Sequence, residues 1–463
     1  MATLIEQEPL YTTLPVGQEV IFVASNNNVV ALQTKVKFVA EVYISSAAGT
    51  VIGANNLVGK FKTTPNNEGV GIFNFSNILE NYVKADNMAA DGSTYKGTAT
   101  TTNNPHSIHL IDKFSKNKNA VRFLAVRLYV EYLGALDCNG NQDDNVVATE
   151  CGSQVDTTNY TLFNGYLKEI NILTRGATNN NFGYDIDKFN LTSVTDQLLS
   201  NMPTQQYANI KDYGVCAFLT LDNNIEKVVV TVYHSGGNVA IDFNKSGNNG
   251  AYNTWTFDTD SQLLYFGFYP ANLRQNATFN SYISSMTHYE VYVEFSSSII
   301  SQTYTVNILC PDLIGYDPIR LAWLNQWGAW DYYTFNKKST RSLSTKGTTY
   351  TQLQGTWNES VYRTNSYKGG KKSFRMNATE KIKINTDFVS EDYNTTFEEL
   401  INSPEVYILE GFQTDITNSL LNQYVTPVRL TTSNFTRKTV VNDKLIQYTF
   451  DVEKTKTLRT QSV

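Results

Sequence analysis

Apolar and polar residues alternate with a period of two along most of this chain, the spacing that puts one face of a strand in a core. Val36, Phe38, Ala40, Val42 and Ile44 alternate with Lys37, Val39, Glu41 and Tyr43. Further strands are expected at Glu19–Ala24, Leu57–Lys62, Val70–Phe75 and Ala120–Tyr132. The same holds for Gly214–Leu221, Lys227–Tyr233, Leu263–Tyr269, Tyr289–Phe295 and Thr303–Leu309. Turn chemistry separates them: Pro65 to Gly69, Gly236-Gly237, Gly247 to Gly250 and Pro270. Helical spacing is sparse. Ser76 is placed to cap a short helix with Ile78, Leu79, Tyr82 and Val83 on one face, and Val194–Leu199 is a short amphipathic segment. Ser390 begins a helix that packs Phe397, Leu400 and Ile401 and ends at Ser403-Pro404. The pattern predicts a mainly β protein of antiparallel β-sandwich domains, with a few short helices and long polar loop insertions. Domains are expected at 1–176, with insertions at 86–118 and 134–158, then at 177–311 and 312–463.

The densest aromatic stretch is Ile319–Phe335, which holds Trp323, Trp327 and Trp330. Ile319, Leu321 and Trp323 alternate with Arg320 and Ala322. Trp330, Tyr332 and Thr334 alternate with Asp331, Tyr333 and Phe335. Between them Asn325 to Gly328 reads as a turn, with Gly328 free to adopt positive φ. The expectation is an aromatic β-hairpin scaffolding the last domain, with Trp327 at its turn left for a neighbouring subunit.

Composition excludes more than it assigns. The 463 residues are 41% hydrophobic, enough to bury sizeable cores and to exclude global disorder. The net charge of −6 provides no whole-protein field for duplex DNA or an acidic membrane. The start of the chain lacks a basic and then apolar leader, and no apolar run reaches membrane-span length, so synthesis in the cytosol is expected. Cys138, Cys151, Cys216 and Cys310 match no zinc spacing. Cys138 and Cys151 flank an Asn/Asp-rich loop and could bridge it, but so few cysteines in a long chain read more simply as free thiols.

The sequence offers no catalytic, cofactor-binding or metal-binding set. His106 and His109 lie near Asp112, and the simpler reading is a pair of solvated loop histidines. No phosphate-binding loop, nucleophile elbow or dinucleotide fingerprint occurs. Charge is segregated instead. Lys337 to Lys383 carries eleven Lys and Arg, including Lys337, Lys338, Lys371, Lys372 and Arg375, against Glu359 and Glu380. Tyr350, Trp357, Tyr362 and Tyr367 are interleaved with them. The next stretch, Asp387 to Glu410, is acidic, with Glu391, Glu398 and Glu399 among its carboxylates and no Lys or Arg. Three readings stand: solvated faces that pair with that acidic segment, an acidic protein partner such as the same segment of a neighbour, or DNA phosphates. The interface candidates are the three tryptophans, these five cations and these three glutamates.

Several segments together resemble virion structural proteins of tailed bacteriophages, in particular those of crAss-like and related phages of Bacteroidota hosts. They are Lys35–Ile44, Phe61–Val83, Arg320–Phe335, Thr386–Glu391, Leu400–Tyr407 and Tyr424–Leu430. The resemblance implies a non-enzymatic component of the virion tail, a ring or barrel protein that forms a cyclic homo-oligomer around the tail axis. Its partners would be other tail or portal-proximal proteins, with no membrane, no cofactor, and DNA only through a tail lumen. The alternative is a receptor- or glycan-binding tail appendage.

Overall fold

A computed structural model describes residues 2–83, 115–116, 121–166, 172–173, 183–184, 186, 189–220, 225–244, 263–274, 276–309, 315–358, 360–410, 425–439 and 445–459. Among these residues the fold is mainly β: antiparallel sheets dominate and the α-helices are short. The chain divides into two compact units. The first comprises 1–308 with 324–331 and 414–419, and the second comprises 309–323, 332–413 and 420–463. The expected insertion at 86–118 lies almost wholly outside the described residues, as do His106, His109 and Cys310.

The first unit begins with a three-stranded sheet, Leu4–Gln7, Ile21–Ser25 and Val70–Asn74. A seven-stranded sheet shares one core with it, centred on Val121–Leu133 and Lys37–Ser45. Phe22 packs edge-on to Tyr160 at 5.7 Å and lies 5.8 Å from Phe75, all fully buried. Alternation in Lys37–Ser45 predicts one polar face, yet every residue after Lys37 is buried. The polar face is covered because Glu41 accepts hydrogen bonds from Tyr43 and Tyr129 and pairs with Lys60 at 2.6 Å. Ser76 starts its helix (Ser76–Leu79) rather than capping it, and Asn74 Oδ1 accepts the Ser76 amide instead. Cys138 and Cys151 form a disulfide, which corrects the free-thiol expectation for this pair. Cys216 is a free thiol whose pKa burial pushes up.

The same unit continues with a six-stranded sheet built on Lys227–His234 and Met286–Phe295, and a three-stranded sheet on Val215–Leu219 and Leu263–Gly267. Phe243 meets Phe266 edge-on at 5.4 Å, and the Tyr289 hydroxyl donates to the Phe268 carbonyl, joining the two layers. Val194–Leu199 is irregular rather than helical, with Leu198 and Leu199 buried and Val194 exposed.

The second unit is an eight-stranded sheet with one helix. Its order is Trp330–Phe335, Ile319–Leu324, Val406–Leu409, Val425–Leu430, Thr449–Lys454, Gly370–Asn385 and Thr340–Gln352, with Leu458–Arg459 also on Gly370–Asn385. The helix Tyr393–Asn402 buries Phe397 and Leu400 as its periodicity requires, and it ends at Ser403 before Pro404. Phe397 is ringed by Tyr333, Tyr393, Tyr448 and Phe450 at 5.1–5.6 Å between centroids.

Candidate interaction surface

The aromatic hairpin is core. Trp323, Trp327 and Trp330 are 0%, 1% and 2% exposed. That corrects their expected role at an interface, and Trp327 in particular is not left for a neighbour. The turn forms as its residues demand. Asn325 Oδ1 accepts from the amides of Trp327 and Ala329, both at 3.0 Å, and Gly328 takes φ 72°. The tip residues 324–331 belong with the first unit. There Trp327 lies on Phe189, Asn325 Nδ2 donates to the Leu199 carbonyl, and the Ser200 hydroxyl donates to Asp331 at 2.6 Å. Burial pushes the Asp331 carboxyl up to about 6, against the lowering effect of Ser200 and Asn325. Alternation could not distinguish this buried ring set from an exposed one, because large apolar residues serve either place.

The acidic segment is also largely engaged within the chain. Asp387 pairs with Lys337 at 3.0 Å, Glu398 pairs with Arg437, and Glu410 lies 3.8 Å from Lys454. Glu399 is buried at 4% exposure, so its expected place on an interface is corrected as well. Glu391 is exposed.

Three of the remaining candidates, Lys371, Lys372 and Arg375, lie on one element. Thr340–Gln352 and Gly370–Asn385 pair over thirteen register positions to form a long antiparallel arm. Residues opposite each other share a face. One face therefore carries Lys346, Arg375, Lys381 and Lys383 among Thr340, Ser342, Ser344, Thr348, Asn377 and Thr379. The other face turns apolar toward its base, where Ala378, Ile382 and Ile384 are buried. Among the described residues, Thr449–Lys454 and Leu458–Arg459 cover the free side of the inner strand from Asn377 to Asn385. From Met376 outward the arm is a two-stranded ribbon among the described residues, continued by the hairpin Gly355–Asn358 and Val361–Thr364.

The outer strand lies at the edge of the sheet. Eleven of its thirteen residues are exposed and none is buried. Among the described residues it pairs with Gly370–Asn385 alone, so its other backbone edge is open. Trp357 and Tyr362 face each other across the tip hairpin at 70% and 48% exposure, and Tyr367 is 72% exposed. Several cations at the base hold carboxylates: Lys381 and Arg429 both reach Glu453, and Arg341 and Lys454 both reach Glu380. Further out, no carboxylate among the described residues lies within ion-pair range of Lys346, Lys371 or Arg375, and the Lys372 ammonium donates to the Tyr367 carbonyl. Lys338 and Lys371 are exposed, and Lys337, Lys372 and Arg375 are half-buried.

One charge feature escaped the strand-by-strand reading. Between Arg127 and Lys168 the chain has six carboxylates and no Lys, Arg or His. Glu131 pairs with Lys62 and Asp156 with Arg127, Glu150 accepts from the Tyr132 hydroxyl, and Asp137 accepts from the amides of Asn139 and Asn141. Asp143 and Asp144 sit exposed on the disulfide-closed loop with no ion pair among the described residues. A running count of charge would have found this segment.

Among the described residues no group of three or more His, Cys, Asp or Glu is placed to hold a metal ion. No helix there is long and apolar enough to cross a membrane. No protein-family model matches the sequence, and no curated protein matches it. Two solved structures align weakly. One is from a 1.5-MDa bacterial ice-binding adhesin, at 8% identity and TM-score 0.14, covering 84% of this chain and 92% of that one. The other is the native conformation of Escherichia coli alpha-2-macroglobulin, at 9% identity and TM-score 0.17, covering 100% of this chain and 31% of that one. Neither likeness carries an argument about this chain.

Proposed function

We infer that the protein is a non-enzymatic structural subunit that works by assembling with other protein chains. Within the resemblance stated above, that is a ring or barrel component of a phage tail, made in the host cytoplasm and carried in the virion. The observation that carries the reading is the arm at 340–385: a long exposed ribbon with an open edge, unpaired cations and bare aromatic rings. An isolated soluble domain gains nothing from such an element, because an open strand edge and exposed Trp invite association. Burial of the three tryptophans supports the reading too, since it leaves them as scaffold rather than as a ligand site.

Electron microscopy of purified particles with a label on this chain tests the assignment. Labels in a ring about the tail axis are expected, and a chain absent from the particle overturns it. The second reading, a glycan-binding appendage, draws on the exposed Trp357, Tyr362 and Tyr367, because sugars stack on open aromatic faces. It requires the purified chain to bind host surface polysaccharide and to lose that binding in Trp357→Ala.

A further inference from the structure

We propose that the arm's outer strand and cationic face dock on a second copy of this chain, arm to body, so that each copy gives one surface and receives another. The inference rests on the structural-subunit reading above and adds which surfaces meet.

Charge identifies the occupant. Residues 337–383 hold eleven Lys and Arg and two Glu, a formal charge of +9. The whole chain has 37 basic and 43 acidic residues, so the rest keeps 26 and 41 and carries −15. The most abundant acidic surface an arm meets in a pool of this protein is therefore the body of another copy. The Asp387–Glu410 segment is a poor acceptor, since its Asp387, Glu398 and Glu410 already hold cations and Glu399 is buried. The base-free segment between Arg127 and Lys168 is the better one, because Asp143 and Asp144 stand exposed there without ion pairs among the described residues.

The contact has a backbone part and an electrostatic part. Thr340–Gln352 presents open strand edge, with Lys346 as its one unpaired cation. Lys371 and Arg375 on the inner strand supply two more unpaired charges along the same ribbon. Charge complementarity sets the encounter and the register, and added strand pairing then holds it. Because the two surfaces differ, the contact is heterologous, which closes a ring when the rotation between copies permits and otherwise runs on into a filament.

The test is analytical ultracentrifugation of the full chain across a series of NaCl concentrations. Self-association is expected at low salt and should weaken as salt rises, since exposed charges are screened beyond about 10 Å at 0.1 M. Lys371→Glu with Arg375→Glu should weaken it roughly ten-fold or more, and Asp143→Lys with Asp144→Lys should do the same. Mixing the two variants should restore association, because the reversed arm then meets the reversed loop. Hydrogen exchange of the amides in 340–352 should slow on association, and the melting temperature of each variant checks that it folds. Association that ignores the arm reversal, or a mixture that stays dissociated, overturns the arm-to-body contact while leaving a self-assembling subunit in place. An arm that retains an oligonucleotide in a chain that does not self-associate overturns it in favour of nucleic acid. A chain monomeric at every salt concentration removes both this inference and the homo-oligomeric reading beneath it.

Discussion

At the hairpin tip, single residues carry consequences that their types alone do not announce. Trp327 is buried against Phe189, so Trp327→Ala should cost about 3–5 kcal/mol of stability in a denaturant titration. The loss falls on folding, and a variant of wild-type stability would return the ring to the surface. Gly328 allows no side chain for two reasons. Its φ is 72°, and a Cβ there would lie 2.1 Å from the carbonyl oxygen of Asn164. Gly328→Ala should therefore cost more than about 2 kcal/mol, the strain of positive φ plus a backbone shift. Asp331 gives the tip a pH dependence. Its carboxyl is raised to about 6, so the folded chain holds that proton more tightly than the unfolded chain, whose value is about 3.9. The stabilisation is complete below about pH 4 and is lost as pH rises through about 6. The stability difference between wild type and Asp331→Asn should shift by about 2–3 kcal/mol between pH 4 and pH 7. A pH-independent difference would mean that Asp331 titrates normally. That Asn325 and Gly328 form a turn was legible from their chemistry. That Asp331 is buried was not, because alternation placed it on the face opposite Trp330 and both faces proved covered.

Among the elements, the loop closed by Cys138 and Cys151 and the arm show how far local pattern reaches. The two cysteines are separated by 13 positions, and a bridge over a loop of that size removes about 3 kcal/mol of unfolded-chain entropy. A reducing agent and Cys138→Ser should lower the melting temperature by the same amount, and an unchanged melt would assign the loop's order to its own turns. Those turns exist: Asp137 Oδ1 accepts the amides of Asn139 and Asn141 at 2.9 and 2.8 Å. Spacing alone left this pair open, because pairing depends on where Val147–Thr149 brings the chain back against Val121–Leu133. In the arm, composition revealed the cations but not the strand pairing. Thr340–Gln352 is too polar to alternate visibly, and Thr-, Ser- and Lys-rich segments form strands only when a neighbour supplies the hydrogen bonds. Here Gly370–Asn385 supplies them, anchored at its base by buried Ile382 and Ile384.

For the whole molecule, the β class, the helix Tyr393–Asn402 and the segregation of charge could be read from the order of residues, because each rests on local periodicity or on simple counting. A period of two reports a strand whichever sheet receives it, and a net charge is the same in any fold. What only the tertiary structure decided is which side of each strand is covered, and by what. The three tryptophans, Asp331 and Glu399 went inside, since sheets and loops distant in sequence close over them. The acidic stretch after Asp387 turned back on Lys337, Arg437 and Lys454 rather than remaining available to a neighbour. Among the described residues the outer strand of the arm kept one edge open, and nothing in its own sequence marks which edge a neighbour would cover. Burial and pairing are sums over residues far apart in the chain, so they become visible only once the chain has folded.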